Sequence, residues 1–285
     1  MNLVKAYKYR DTSERSLKIL SEKKLYFPRA AQLNDPLDSQ INIDKEYQKI
    51  VEKSPPNDSE EYLRKSFLIH LLNQHSFKDQ NEKALGLNGA VQNFISTLGI
   101  YSLSRNATDA LLWSHYGDSH TGMALEFETD IIDSENIFIR NPIRYCAKPV
   151  YQELFLELAE KLGEFVKPWE SDHQYENGLG EKFYTHQLSQ LMHANLFVKS
   201  AKWKYEEEFR LVSNRSGFHS FPSEALISVV FGLNSKPSFI RQVEIILSTP
   251  EYSHVDIKYV QHKTGSFEFE IANYNNNLMQ LDRTT

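Results

Sequence analysis

The residues best suited to chemistry lie in one short acidic run, residues 203–210. If this run forms a β-strand, its side chains alternate between two faces, so Glu206, Glu208 and Arg210 share one face. Acidic residues are poor strand formers, so such a strand needs a compensating interaction. Two carboxylates beside one guanidinium therefore indicate either a structural ion pair or a site that stabilises a developing positive charge.

Three further clusters combine charged or polar groups, mostly with aromatic side chains. They are residues 9–10 with the loop 34–38, residues 102–104, and residues 113–116 with His120 and Gly122. A site that stacks a planar ligand and holds its polar parts requires this mixture. These clusters are the first candidates for a ligand site.

The familiar motifs for metals and mononucleotides are absent from the sequence. His115 and His120 are five residues apart, which does not give the facing pair of a zinc-binding helix. With 11 glycines the chain contains no GxGxxG and no GxxxxGK[ST] loop, and it has no serine nucleophile elbow. The single cysteine, Cys146, excludes an intramolecular disulfide and a cysteine-cluster metal site. We therefore predict a site without a metal.

The bulk composition predicts a cytoplasmic protein that does not enter a membrane. The chain has 285 residues, enough for a substantial core, and a formal net charge of -6, which argues against a general polyanion-binding surface. The first residues run directly into charged sequence, without the apolar segment of a signal peptide. No apolar stretch approaches the roughly 18 residues that cross a bilayer.

The candidate residues are carried by alternating strands and helices. Strand patterns cover residues 6–10, 25–27, 100–104, 123–127, 206–212, 227–232, 255–260 and 267–271. Helical patterns cover residues 16–20, 91–98, 111–116 and 237–247. Charged, helix-rich stretches at about 42–98 and 150–200 interrupt this pattern. The sequence thus predicts one α+β domain over residues 1–285 with two helical insertions.

The order of the motifs resembles the bacterial domain of unknown function DUF2971. The resemblance runs from residue 7 to about residue 232 and rests on Tyr-Lys-Tyr-Arg, Leu-Tyr-Phe with Leu-Asn-Asp-Pro-Leu-Asp, Tyr-Ser-Leu-Ser, Leu-Trp-Ser-His-Tyr-Gly-Asp-Ser-His-Thr-Gly and Lys-Trp-Lys-Tyr-Glu-Glu-Glu-Phe-Arg. The layout is also similar to that of ADP-ribosyltransferase-like enzymes, whose first strand carries Arg or His, middle strand Ser or Tyr, and late strand a catalytic Glu. That similarity implies a split sheet of mixed or antiparallel strands.

The same similarity implies that the protein is an NAD-dependent ADP-ribosyltransferase. Arg10, or Lys8 on the same strand face, would hold the pyrophosphate of NAD. Glu208 is the favoured catalytic carboxylate beside an oxocarbenium-like sugar, and Glu206 is the alternative. The other carboxylate would orient or deprotonate the acceptor. The remaining expected NAD contacts are aromatic or hydroxyl-bearing, namely Tyr26, Ser102, Ser104, Trp113, His115 and Tyr116.

Other interpretations explain several of these residues equally well. Arg10 is also suited to an ion pair with Asp35 or Asp38. Trp113 and Tyr116 are of a type that is usually buried in a core. The acidic strand would be inert if it lay solvated at a sheet edge.

The expected acceptor of ADP-ribose is a macromolecule, namely RNA, DNA or protein. Lys199, Lys202 and Lys204 would suit nucleic acid as a modest basic rim, although a solvated helix end explains them as well. A toxin or defence-type effector of this kind would need a neutralising antitoxin. The alternative functions are a non-catalytic module that binds a nucleotide or a nucleic-acid end, and a metal-dependent nuclease, which the lack of an obvious lysine partner for the acidic strand disfavours.

Overall fold

The computed structural model describes residues 4–39, 87–133, 135–148, 150 and 189–274, together with residues 42, 45, 48, 49, 52, 77, 78, 84 and 85. The chain divides into two compact units. The first contains residues 1–27, 99–143 and 202–285, and the second contains residues 28–98 and 144–201. The predicted helical insertions, at about 42–98 and 150–200, fall within the second unit, and most of their residues lie outside the described ones.

The first unit is built on an eight-stranded mixed sheet. From one edge to the other its strands are β14 (Phe269–Asn273), β13 (Asp256–His262), β12 (Leu226–Phe231), β6 (Met123–Glu128), β1 (Lys5–Arg10), β5 (Gly99–Ser104), β10 (Glu208–Ser213) and β7 (Ile137–Pro142). Neighbouring strands are antiparallel except β12 and β13, which are parallel. The predicted α+β class with a large mixed sheet is confirmed.

Shorter elements complete the two units. The helices with described bounds are α1 (Glu14–Glu22), α2 (Leu87–Thr97), α3 (Ala110–Tyr116) and α4 (Pro237–Leu247), with residues 189–197 also helical. Short 3-10 helices cover Ala30–Gln32, Thr129–Ile131, Ala201–Glu206, Ser223–Ala225 and Pro250–Tyr252. Three two-stranded sheets join β2 (Lys24–Phe27) to β11 (Gly217–Ser220), β3 (Phe77–Lys78) to β4 (Ala84–Leu85), and β8 (Arg144–Cys146) to β9 (Val198–Ser200). Among the described helices, none has the length and apolar character that a membrane crossing requires.

The side chains on the two faces of the large sheet contribute to two separate apolar cores. Leu103, Leu125 and Phe209 belong to the larger core, which also contains Ile19 of α1 and Phe239 of α4. The residues in between on the same strands point the other way, as the period of two requires. On β6, Ala124 accordingly joins the smaller core, and so do Tyr9 of β1 and Val230 of β12, with Leu112 and Trp113 of α3.

Local sequence explains where the helices beside the sheet begin. The side chain of Asp109 accepts hydrogen bonds from the backbone amides of Leu111 and Leu112, which caps α3. Proline opens α4 at Pro237, a first-turn position that needs no amide hydrogen. The buried side chains of α4 recur at helical spacing, so one face of this helix packs on the larger core.

The predicted strand from residue 206 is wrong at its start. Ala201–Glu206 form a 3-10 helix, Glu207 has a φ of 42°, and β10 begins at Glu208. The Glu207 amide donates to the Lys204 carbonyl at 3.2 Å, which closes a turn before the strand. Glu206 and Glu208 therefore do not share one face of a strand, because the left-handed residue between them interrupts the alternation.

Candidate functional site

The three strands that carry most of the predicted site residues are neighbours in the large sheet. Tyr7 of β1 lies opposite Ser104 of β5, and Ser104 lies opposite Glu208 of β10. Strands β5 and β10 pair along their whole length, whereas β1 and β5 pair only at Tyr7 and Ser104. Beyond this pair Lys8 Nζ donates a hydrogen bond to the Ser102 carbonyl at 2.6 Å, so a side chain replaces the missing backbone ladder.

Four charged side chains act electrostatically on Lys8, and together with it they are here named the charged cluster: Lys8, Arg10, Glu206, Glu208 and Arg210. Burial of the ammonium, followed by the positive charge of Arg10, lowers the pKa of Lys8 to about 7. The carboxylates Glu208 and Glu206 oppose that change, and Arg210 adds to it. Keeping Lys8 protonated in the folded protein therefore costs free energy, and its protonation state changes near neutral pH.

Arg10, at the end of β1, has hydrogen-bonding capacity that its neighbours do not use. Its Nη2 lies 3.4 Å from the Tyr101 hydroxyl, and its guanidinium carbon lies 5.9 Å from the centre of that ring. Its Nε is buried without a hydrogen-bond partner, and Arg10 forms no ion pair with a carboxylate in the part of the chain that the structure describes. An unsatisfied buried donor is costly, and a phosphate oxygen is a strong acceptor for it.

Tyr101 joins the two cations of β1. Lys8 Nζ lies 4.6 Å from the centre of the same ring that Arg10 approaches. A tyrosine face attracts cations, so it lowers the cost of placing two like charges close together. Tyr101 was not predicted as a site residue, because the alternation of β5 assigns it to the opposite face from Ser102.

Glu208 and Arg210 form a buried ion pair along β10. Arg210 Nε and Nη2 lie 2.8 and 2.7 Å from Glu208 Oε1. Glu208 is 3% exposed and Arg210 is 1% exposed. Their spacing of two residues places them on one face of the strand, as the sequence predicted. Such a pair persists only with good geometry, since both charges must be dehydrated.

Glu206 is held separately, by the last turn of α3. The Tyr116 hydroxyl donates to Glu206 Oε1 at 2.7 Å. The intervening Glu207 accepts from Asn106 Nδ2 at 3.2 Å through its side chain and from the Arg105 amide at 3.0 Å through its carbonyl. The loop after β5 and helix α3 thus fix the turn that separates Glu206 from β10.

The two serines of β5 have different surroundings. Ser104 is buried, and its hydroxyl accepts from the Asn106 amide at 3.0 Å and donates to the Asn106 carbonyl at 3.1 Å. Ser102 is partly exposed and lies opposite Arg210. Ser104 therefore shapes the following loop, and Ser102 is the better placed of the two to meet a ligand.

Trp113 belongs to the smaller core. Its side chain is fully buried, Nε1 donates to the Ala107 carbonyl at 2.8 Å, and its ring meets Tyr9 edge-on with the ring centres 4.9 Å apart. Trp113 is therefore a core residue that packs against Tyr9 of β1. Its polar atom is satisfied and its ring is buried, so it leaves no face for a ligand to stack on.

The remaining predicted contacts, His115 and Tyr26, have aromatic neighbours. His115 is exposed near the end of α3, where its ring centre lies 6.2 Å from that of Tyr116. Tyr26 lies on β2, and its ring contacts Phe218 of β11. Within the described residues, no group of three histidine, cysteine, aspartate or glutamate side chains is arranged to hold a metal ion.

Part of the chain matches a known protein family. Residues 112–211 match the family model described as a protein of unknown function, DUF2971. The predicted resemblance to DUF2971 is confirmed over this stretch, which contains Trp113, Tyr116, Glu206, Glu208 and Arg210. No curated protein and no solved structure matches the chain.

The stretch matched by DUF2971 also contains a strained loop after α3. Asp118, Ser119 and His120 have φ values of 53°, 54° and 68°, a left-handed run that residues with side chains rarely adopt. A Cβ atom on Gly122 would lie 2.0 Å from the carbonyl oxygen of Arg10. Because this loop presses against the end of β1, it fixes the backbone from which Arg10 projects. Gly122 and the polar residues Asp118, Ser119 and His120 are the sequence features that could have indicated this loop.

Proposed function

We propose that the protein is an NAD-dependent ADP-ribosyltransferase that transfers ADP-ribose to a macromolecule. One observation carries this proposal: two cations on β1, one with an unsatisfied buried nitrogen, share a cluster with Glu206 and Glu208. Lys8, a cation that suits a pyrophosphate, thus lies within electrostatic reach of two carboxylates that suit a sugar cation. A single NAD molecule presents both of these groups.

The chemistry assigned to the carboxylates is stabilisation of charge on the nicotinamide ribose. The bond between ribose C1′ and the nicotinamide nitrogen breaks, and its electron pair leaves with nicotinamide. The sugar then carries an oxocarbenium-like positive charge, which a fixed carboxylate stabilises. A nucleophile of the acceptor attacks C1′ and releases a proton, which the second carboxylate can accept.

The single-pair contact between β1 and β5 supports placing NAD between these strands. Arg10 and Lys8 would bind the pyrophosphate. Ser102, whose carbonyl accepts from Lys8 although its side chain lies on the other face of β5 from Tyr101, would line the ribose side. Glu208 is assigned to the sugar cation, and its pairing with Arg210 fixes its position. Glu206, on the turn before β10, is assigned to the acceptor. In this proposal the large sheet is of the split, ADP-ribosyltransferase-like kind.

A second candidate is a non-catalytic module that binds a nucleotide at the same place. The observation that favours it is the Glu208–Arg210 pair, because a carboxylate already neutralised by a guanidinium stabilises a sugar cation less. Under this alternative Arg10 and Lys8 keep their roles. The two carboxylates would then serve only to hold the cations of the cluster in place.

The deciding experiment incubates the protein with labelled NAD and with separate protein, RNA and DNA pools from a bacterial lysate. Glu208→Gln is expected to retain NAD binding and lose transfer, whereas Arg10→Ala is expected to lose binding. Glu224→Gln serves as the matched control, because Glu224 is an exposed glutamate outside the charged cluster. NAD binding without release of nicotinamide would establish the second candidate. A protein whose melting temperature does not respond to NAD would overturn the transferase, and the second candidate would then require a response to another nucleotide.

Such an activity fits a cytoplasmic toxin or defence-type effector with a neutralising antitoxin. Uncontrolled modification of a nucleic acid or protein consumes NAD and damages the acceptor, so the producing cell needs an inhibitor. Expression of the wild type without a partner is expected to arrest growth. Expression of Glu208→Gln to the same level is expected to be tolerated.

A further inference from the structure

The small sheet of β2 and β11 presents two large aromatic side chains to solvent. Tyr26 and Phe218 lie directly opposite each other, with ring centres 5.3 Å apart and planes inclined by 67°. They are 42% and 60% exposed, whereas Leu25 and His219, the next cross-strand pair, are buried. Because side chains alternate across a sheet, the exposed aromatic pair is a property of one face. Aromatic side chains of this size are more often buried.

Two cations accompany the aromatic pair. Lys24 lies two residues before Tyr26, on the same face, and is paired across the sheet with Ser220. The Arg215 guanidinium donates through Nη1 to the Phe218 carbonyl at 3.2 Å. Both cations are exposed, and neither forms an ion pair with a carboxylate in the described ranges. The face therefore combines apolar rings with positive charge, although the chain as a whole carries a net charge of -6.

The opposite side of the small sheet is firmly anchored. His219 Nδ1 lies 2.6 Å from Asp133 Oδ2, and its Nε2 lies 3.1 Å from the Arg215 carbonyl. The His219 ring also packs on Phe27, with ring centres 4.4 Å apart. A face held in this way needs little ordering when it binds a partner, which favours affinity.

We propose that this face, the Tyr26–Phe218 platform, binds single-stranded nucleic acid. The inference rests on the proposed function and names the acceptor class for it. Unpaired bases stack on aromatic rings, and their phosphates pair with adjacent lysine and arginine, which is the combination present here. A duplex hides its base faces, so it offers the rings nothing to stack on. A purely apolar protein partner would leave the two cations without a role.

The test measures fluorescence anisotropy of labelled single-stranded RNA and DNA oligonucleotides and of a duplex, with the full chain and without NAD. Replacing Tyr26 and Phe218 together by leucine keeps the surface apolar and removes the stacking faces. Loss of a single stacking ring is expected to weaken single-strand binding roughly 5- to 100-fold, so the double leucine variant should lose at least that much affinity. Phe138→Leu is the matched control, since Phe138 is a 50% exposed aromatic on β7. Comparison of RNA with DNA identifies the acceptor.

Lys24→Ala and Arg215→Ala supply an independent measurement. Each is expected to weaken binding modestly and to flatten its dependence on salt, because fewer counterions are released. Absence of oligonucleotide binding, equal binding of the duplex, or unchanged affinity of the leucine variant would overturn the inference. Release of nicotinamide from NAD without an acceptor should be unaffected by Phe218→Leu alone, which keeps Tyr26. Nicotinamide release without oligonucleotide binding would therefore refute this inference and leave the proposed function standing.

Discussion

Replacing Lys8 by methionine is expected to stabilise the protein and to abolish NAD binding. The pKa of Lys8 falls from 10.5 to about 7 in the folded protein, chiefly because the ammonium is buried. That difference corresponds to roughly 5 kcal/mol of folding free energy lost when Lys8 is charged. Methionine removes this penalty, but it also removes the hydrogen bond to Ser102 and the contact with Tyr101, together worth about 2–3 kcal/mol. The expected net stabilisation is about 2 kcal/mol.

The lowered pKa of Lys8 also determines how the stability difference between Lys8→Met and wild type changes with pH. Below pH 7 Lys8 is charged in both the folded and the unfolded chain, so the full penalty is present. Between about 7 and 10.5 the folded protein releases the proton before the unfolded chain does, so wild-type stability rises with pH. The advantage of methionine is therefore largest at pH 6 and declines towards pH 9.5.

The assay is urea denaturation followed by tryptophan fluorescence at several pH values between 6 and 9.5. Lys5→Met is the control, because Lys5 is an exposed lysine at the start of the same strand. The control is expected to change stability little at any pH. A Lys8→Met protein that is less stable than wild type at pH 6, or a difference that does not vary with pH, would refute the reasoning about Lys8.

Three further predictions concern the charged cluster and the residues that hold it. Tyr116→Phe removes the 2.7 Å hydrogen bond to Glu206 and is expected to cut transfer to the acceptor more than nicotinamide release, with melting temperature as the folding check. Arg210→Met removes the guanidinium that pairs with the buried Glu208 and should cost about 3–5 kcal/mol in urea denaturation, most of which the added change Glu208→Gln restores. If the single and double variants are equally unstable, the pair is not the source of the loss. Gly122→Ala places a methyl group 2.0 Å from the last carbonyl oxygen of β1 and is expected to lower the melting temperature sharply; an unchanged value would show that the loop moves freely.

Regular, locally patterned elements were predictable from the sequence. The apolar runs that became β1, β5, β6 and β12 carry clear strand character, and α4 has the predicted bounds, Pro237–Leu247. Each of these signals lies within one short window, where the period of two or 3.6 residues is visible. The sequence also singled out Lys8, Arg10, Glu208 and Arg210, because charges on a predicted strand are conspicuous.

The parts that were missed depend on contacts between distant segments. Strand β11 was not predicted, because the sequence Gly-Phe-His-Ser lacks apolar alternation and its partner β2 lies far away in the chain. The turn at Glu207 was missed because a left-handed residue with a long side chain leaves no signal in composition. Its conformation is fixed by hydrogen bonds from Arg105 and Asn106, which no local pattern encodes. Strands β7, β8 and β9 were missed as well.

The single pairing of Tyr7 with Ser104 has a mechanical consequence. Strands β14 to β1 form one hydrogen-bonded plate and strands β5 to β7 another, and the backbone joins the two plates at one rung. The boundary between β1 and β5 therefore has fewer paired residues than any other pair of neighbouring strands in this sheet. A ligand held by Arg10 on one plate and Ser102 on the other would act as an added rung. Binding of the ligand would then stiffen the whole sheet.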